Sequence, residues 1–154
     1  RWFENCMNTM KTHEGLLGTV GLVFTDKNSY WPINRPGWPT PNREVVQADF
    51  LGHCWFFKRD WLSAFWRELP DIDQPMIVGE DMHFSYALQK YMGINTYVPP
   101  HPPEDLSMWG SIPDTAWKIG QDSNAISMNL DNIKLMESQM QKYVSRGWKL
   151  LIDG

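Results

Sequence analysis

Disulfides are the first thing this chain lacks the material for, with two cysteines in 154 residues. Cys6 and Cys54 sit in apolar surroundings and make no framework, so both read as buried free thiols. Basic charge is also in short supply. A net charge of −4 argues against nucleic acid or an anionic membrane surface as the main partner. No apolar run approaches the ~20 residues that span a bilayer, and the first residues show no signal-peptide pattern. A cytoplasmic protein without a membrane span is the resulting expectation. Repeats and linkers are missing too. That leaves a single α/β domain over residues 1–154, long enough to bury roughly 70% of its unfolded surface.

What the chain has in excess is aromatic, nine tryptophans above all. Large flat rings fill cores, and they also stack on sugar faces and line acceptor clefts, so composition leaves both roles open. Residues 1–10 are a helix already in progress, with Trp2, Phe3, Cys6, Met7 and Met10 on one stripe and Gly15 as its stop. A chain that starts inside its first helix reads as a piece of something longer. Residues 18–25 have the β-branched, two-faced apolar pattern of a buried strand. Residues 26–42 carry Pro32, Pro36, Pro39 and Pro41 among Tyr30, Trp31 and Trp38, a density of proline that no helix or central strand tolerates. Loops of that length are uncommon in compact domains. This one reads either as an acceptor-binding lid or as a surface loop pinned by its own aromatics.

Strand periods recur over 45–51 and 53–57 around a Gly52 hinge. A short helix follows over 61–68 with Asp60 as its cap, then a loop over 70–78 and a helix over 81–92. Pro99 and Pro100 close a strand over 94–98, and an irregular stretch holds Trp109 and Trp117. The longest helix is read over 127–145, with Leu130, Ile133, Met136, Met140, Tyr143 and Val144 as its apolar stripe. A last strand is read over 148–152.

The densest chemistry lies in Gly79-Glu80-Asp81-Met82-His83-Phe84. Two adjacent carboxylates stand where a loop gives way to a helix. Gly79 permits a sharp turn, and the helix N-terminus offers partial positive charge. A carboxylate so placed is expected to stay ionised at neutral pH and to accept a proton from a substrate hydroxyl. An ordinary helix cap is the other reading of either acid.

A further order runs along the chain. An acid-bearing strand, Val46-Gln47-Ala48-Asp49, precedes Gly52 and a strand ending at Lys58-Arg59. A short helix and a loop lead to Gly-Glu-Asp opening a helix, and a later strand ends in Pro99-Pro100-His101-Pro102. In this order, residues 1–101 resemble the C-terminal, acceptor-binding half of a GT-A-fold nucleotide-sugar glycosyltransferase of the family 2 type. The resemblance implies a partial GT-A-like α/β fold. Its small mixed sheet would use strands near 19–24, 45–51, 53–57 and 96–98, with helices near 2–13, 61–68, 81–92 and 128–145. It implies inverting transfer of a sugar from a nucleotide sugar to a carbohydrate acceptor. Asp81 then corresponds to the catalytic base and Glu80 to a hydrogen-bonding partner of the acceptor. Gly52, Asp49, Trp38, Trp55 and His53 would serve the substrate cleft, whose mouth Glu80 and Asp81 would share with Gly52 and the 26–42 loop. His101 corresponds to a residue that completes a divalent-metal site, Mn²⁺ or Mg²⁺, in metal-dependent members. A histidine hydrogen-bonded between prolines is its other reading.

The chain also departs from that pattern. Members of this fold hold nucleotide and metal on an N-terminal βαβ half that ends in Asp-x-Asp, and no Gly-rich turn follows a first strand here. Asp71-Ile72-Asp73 matches the string, yet it follows the acceptor-side strands instead of preceding them, so it reads as a decoy. The expectation is a fragment without the donor-binding half, unable to bind a nucleotide sugar alone. A cut sheet would expose an edge or an apolar face, which favours self-association as a homo-oligomer. The main alternative is a carbohydrate-binding module without chemistry. A glycoside hydrolase pairing Glu80 or Asp81 with Glu104 or Asp105 is the third reading.

Overall fold

Asp49 is where the fold divides. The computed structural model describes residues 1–69, 78–112 and 129–154. In it, the strand expected over 45–51 breaks at Asp49 into β4 (Val46–Ala48) and β5 (Phe50–Gly52), which join different sheets. β4 pairs antiparallel with β6 (Thr96–Val98), and β6 pairs parallel with β1 (Leu16–Leu17), giving a mixed sheet in the order β1-β6-β4. β5 pairs antiparallel with β2 (Val20–Phe24), whose other edge carries β3 (Ile33–Asn34). The protein is therefore mixed α/β, and its described residues form two three-stranded sheets where one was expected. The Asp49 side chain holds the corner between them. Its Oδ2 accepts the N–H of Phe24 at 2.8 Å, and its Oδ1 accepts that of Leu151 at 2.7 Å.

Among the described residues four helices pack on these sheets: α1 (Trp2–Thr12), α2 (Leu62–Phe65), α3 (Glu80–Met92) and α4 (Leu130–Ser145). α3 buries every residue from Met82 to Leu88, so it carries no single apolar stripe. Met82 and Tyr86 join a core with Phe24, Phe50, Met140 and Tyr143, whereas Phe84, Ala87 and Leu88 join a second with Leu16, Leu51 and Val98. Full burial of each large apolar side chain contributes about 1.5–3 kcal/mol. Gly93, in the left-handed region at φ 64°, ends the helix.

Several sequence expectations are corrected. α1 buries Asn5, Cys6 and Thr9 and exposes Phe3 and Met7, because the Asn5 amide donates to the carbonyls of Pro100 and Met108 and turns that face inward. Asp60 lies inside a 3₁₀ turn (Arg59–Trp61) and caps nothing with its side chain, and α2 stops at Phe65. Leu130 is exposed, while Asn132 and Gln139 join Met136, Met140 and Tyr143 on the inner face of α4. Over 53–57 the backbone makes an isolated bridge between Leu17 and Phe56 in place of a strand, since Cys54 bends the chain at φ 56°. Cys54 is also exposed, so Cys6 alone is an interior thiol.

The expected last strand is replaced by side-chain partners. Gln89 bonds both the N–H and the carbonyl of Lys149, and Asp49 takes the N–H of Leu151 before a 3₁₀ turn (Leu151–Asp153). Among the described residues no helix is long and apolar enough to cross a membrane. Asp71, Asp73, Trp117 and most of the loop expected over 70–78 lie outside the described residues.

Candidate functional site

α3 begins at a left-handed residue. Gly79 has φ 77° and ψ 30°, and a β-carbon there would collide with Oε1 of Gln139 on α4, so two separate constraints call for glycine. This turn brings the start of α3 to a cleft of about 330 Å³. Glu80 is exposed at the start of the helix, and Asp81 is half-buried beside it. Gly52, His53 and Trp55 line the cleft from the end of β5 and the turn beyond it, and Tyr30 and Arg35 come from the proline-rich loop. Val20, Leu22, Val78 and Met136 complete the lining with apolar surface.

Burial decides the chemistry of Asp81. Its Oδ1 accepts the N–H of Met82 at 2.7 Å, and the helix N-terminus favours the ionised form. Removal of water from the carboxylate, assisted by the neighbouring Glu80 charge, works the other way and prevails. The pKa rises from its ordinary 3.8 to about 7. The expectation of a permanently ionised acid is thereby corrected. At neutral pH this group is divided between its two forms, so it can both take a proton and return one.

The other cleft residues are held by specific contacts. The indole N–H of Trp55 donates to the Leu51 carbonyl at 2.9 Å, which fixes its ring. A β-carbon on Gly52 would meet that of Val20 at 3.5 Å, an ordinary contact. The Arg35 guanidinium lies 5.2 Å from the ring centre of Trp38, and its Nε is buried with no hydrogen-bond partner. Burial pushes Arg35 below its usual range. Trp38 is buried behind the cleft and does not line it, and its ring stacks on His53 with centroids 6.5 Å apart. His53 keeps an exposed edge, yet desolvation first and Arg35 second push its pKa down. Tyr30 is pushed up, chiefly by burial and then by the Asp81 charge. The 26–42 loop is thus pinned by Tyr30, Ile33 and Trp38, and it still supplies Tyr30 and Arg35 to the cleft.

Behind the cleft, α3 is tied to its neighbours. The Nε2–H of His83 donates to the Phe65 carbonyl at 2.9 Å, and its Nδ1 accepts from the Tyr143 hydroxyl at 2.9 Å. That hydroxyl also accepts from the Gln139 amide at 2.9 Å. Glu68 accepts from Tyr86, Tyr91, Lys90 and Arg146. Despite some desolvation, its bonds to Lys90, Tyr91 and Tyr86 hold its pKa down to about 2.

Three expected site residues fall into different surroundings. Gly52, His53, Trp55, Glu80 and Asp81 meet in the cleft, whereas Asp49 is buried at the sheet corner with both oxygens occupied. Trp38 supports the cleft from behind. His101 is fully buried between the rings of Trp2 and Trp109. Its Nδ1–H donates to the Pro99 carbonyl at 2.7 Å, which leaves Nε2 to accept the Thr19 hydroxyl at 2.7 Å. Nitrogens so committed do not fit a metal ligand. Among the described residues no three His, Cys, Asp or Glu side chains converge as a metal site. Glu104 pairs with Arg43 and Asp105 with Arg1, both outside the cleft. Arg35 is the cleft residue that sequence reasoning missed. Its signal was a cation directly before Pro36, among the prolines and aromatics of the 26–42 loop.

Fold and site together define a mixed α/β domain whose cleft carries a titrating acid at a helix N-terminus. Comparison with protein-family models, curated proteins and solved structures finds no match to the chain.

Proposed function

We propose that the cleft binds a carbohydrate acceptor and that Asp81 is the base of an inverting sugar transfer from a nucleotide sugar. The acceptor hydroxyl gives its proton to Asp81 as its oxygen bonds the anomeric carbon. The bond from that carbon to the diphosphate breaks, and the nucleoside diphosphate leaves with the electron pair. Glu80, beside the base, hydrogen-bonds the acceptor. Gly52, His53 and Trp55 form the seat, with the indole offering an apolar face to a sugar ring. One observation carries the reading, a carboxylate lifted to a pKa of about 7 in the cleft those residues line. The family resemblance of residues 1–101 supports Asp81 as the base. The described residues do not fit a Mn²⁺ or Mg²⁺ site, so no step is drawn through a metal.

The test is titration with a panel of methyl glycosides, neutral and acidic, followed by the NMR signals of the Trp55 indole and the Gly52 amide. Saturable shifts confined to the cleft are expected, about tenfold weaker binding in Trp55→Ala, and retained binding in Asp81→Asn. A panel that moves no cleft signal contradicts the reading. Glycoside binding by a protein whose Asp81 titrates as an ordinary carboxyl favours the carbohydrate-binding module without chemistry.

A further inference from the structure

We propose that Arg35 forms an anion subsite in the cleft, its guanidinium taking the carboxylate or phosphate oxygens of the molecule that Asp81 acts on. Arg35 reaches the cleft from the 26–42 loop, and it is the cation among the residues that line it. Its guanidinium carbon lies 5.2 Å from the Trp38 ring centre, a cation–π contact that uses no N–H. The Nε–H is buried and donates to nothing. Among the described residues no carboxylate forms an ion pair with Arg35, although Glu80 and Asp81 line the same cleft.

A cation drawn out of water without an acid is unfavourable for the fold alone. Four other cations of this chain show the contrast. Arg146 and Lys90 both meet Glu68, Arg43 meets Glu104, and Arg1 meets Asp105. Arg35 lines the cleft against the Trp38 ring, with no acid partner among the described residues and with an Nε–H that the fold leaves unpaired, which leaves the guanidinium to an anion. His53 beside it is pushed toward its neutral form, so it does not compete for the anion and is free to hydrogen-bond a hydroxyl. The cleft is therefore polarised, with acids at the start of α3 and a cation on the loop. A ligand that spans it presents a hydroxyl to Asp81 and an anion to Arg35.

The choice of probe, though not the subsite, rests on the carbohydrate reading. The experiment follows the ¹⁵N–H signal of Arg35 Nε during titration with methyl β-D-glucuronide, methyl β-D-glucoside and inorganic pyrophosphate. Arg35→Met and Arg35→Lys are run in parallel, and each is first checked for unchanged thermal unfolding. An anion should shift the Nε signal and bind about tenfold or more tightly than the glucoside. Arg35→Met should erase that preference and leave glucoside binding as it was, and Arg35→Lys should restore part of it. Shifts with glucuronide place the anion on the acceptor, and shifts with pyrophosphate alone place it on the diphosphate. If neither anion moves Arg35 Nε, or the preference survives in Arg35→Met, the subsite is wrong. Because the Nε signal is read in the unmutated protein, the outcome does not depend on the variants folding. Glucoside binding without anion preference sinks the subsite and keeps the carbohydrate reading. Anion binding at Arg35 while no glycoside moves Trp55 does the reverse.

Discussion

Asp49 and Asp81 are two carboxylates that the fold takes out of water, and the corner and the cleft use them in opposite ways. Burial pushes both pKa values up. At Asp49 the N–H groups of Leu151 and Phe24 push back, each on its own oxygen, so the acid clips the end of the chain to β2. At Asp81 the backbone N–H groups that push back are those of Met82 and of Asp81 itself, both from its own helix turn, and the carboxylate lines an open cleft. What separates the two acids is therefore where their donors come from, distant segments at Asp49 and its own helix turn at Asp81, and that Asp81 alone faces the cleft. His101 and Arg35 repeat the contrast. Both histidine nitrogens are engaged within the fold, whereas Arg35 Nε is engaged with nothing.

The largest expected effect splits the two acids on activity. In a full-length active form, Asp81→Asn should lower turnover in a sugar-transfer assay by roughly 10²–10⁴-fold with its circular dichroism unchanged, as expected for loss of a general base. Asp49→Asn should leave turnover per folded molecule intact, and equal losses from both variants would break the comparison.

Stability should show the reverse order. Asp49→Ala strands two backbone N–H groups and should lower stability by roughly 2–4 kcal/mol, a fall in Tm of roughly 5–15 °C by calorimetry. Glycoside binding by the fraction that remains folded should be unaffected.

A third expectation concerns pH. An unfolded aspartate titrates near its ordinary 3.8 and folded Asp81 at about 7, so between those values the folded state binds more protons than the unfolded one. Stability therefore falls as pH rises through this window, and the penalty is complete above it. Asp81→Asn removes the penalty. Unfolding free energies of variant and wild type from urea titration should coincide near pH 4 and differ by roughly 2–4 kcal/mol in favour of the variant near pH 8. Parallel curves at every pH would show that Asp81 is not desolvated.

The smallest effect belongs to Gly52→Ala. Its β-carbon meets Val20 at an ordinary distance, so stability should change by less than about 0.5 kcal/mol. Weaker glycoside binding in that variant would mark Gly52 as a point of close ligand approach, and unchanged binding would remove it from the seat.

Part of this was legible in the sequence. α3 announces itself through Gly79 and Gly93 at its ends, and α4 through the spacing of Met136, Met140 and Tyr143. The resemblance pointed to Asp49, Gly52, His53, Trp38, Trp55, Glu80 and Asp81 as cleft partners, and the cleft holds five of them but neither Asp49 nor Trp38. The sheet corner was not legible, because Asp49 and Gln89 satisfy distant backbone groups and leave no local period behind. The ionisation of Asp81 was not legible either. Its dry surroundings are built by Tyr30, Val78 and Met136, and two of these are far away in the chain. Arg35 went unseen for a related reason, since a loop rich in proline has no periodicity to mark which side chain turns inward.

The central claim is that the cleft holds a carboxyl poised between its two forms. A ¹³C NMR titration of the Asp81 side-chain carboxyl, assigned by its disappearance in Asp81→Asn, tests it most directly. The account predicts a midpoint at about 7. A midpoint near the ordinary value of 3.8 would contradict it, and the role of base would fall with it.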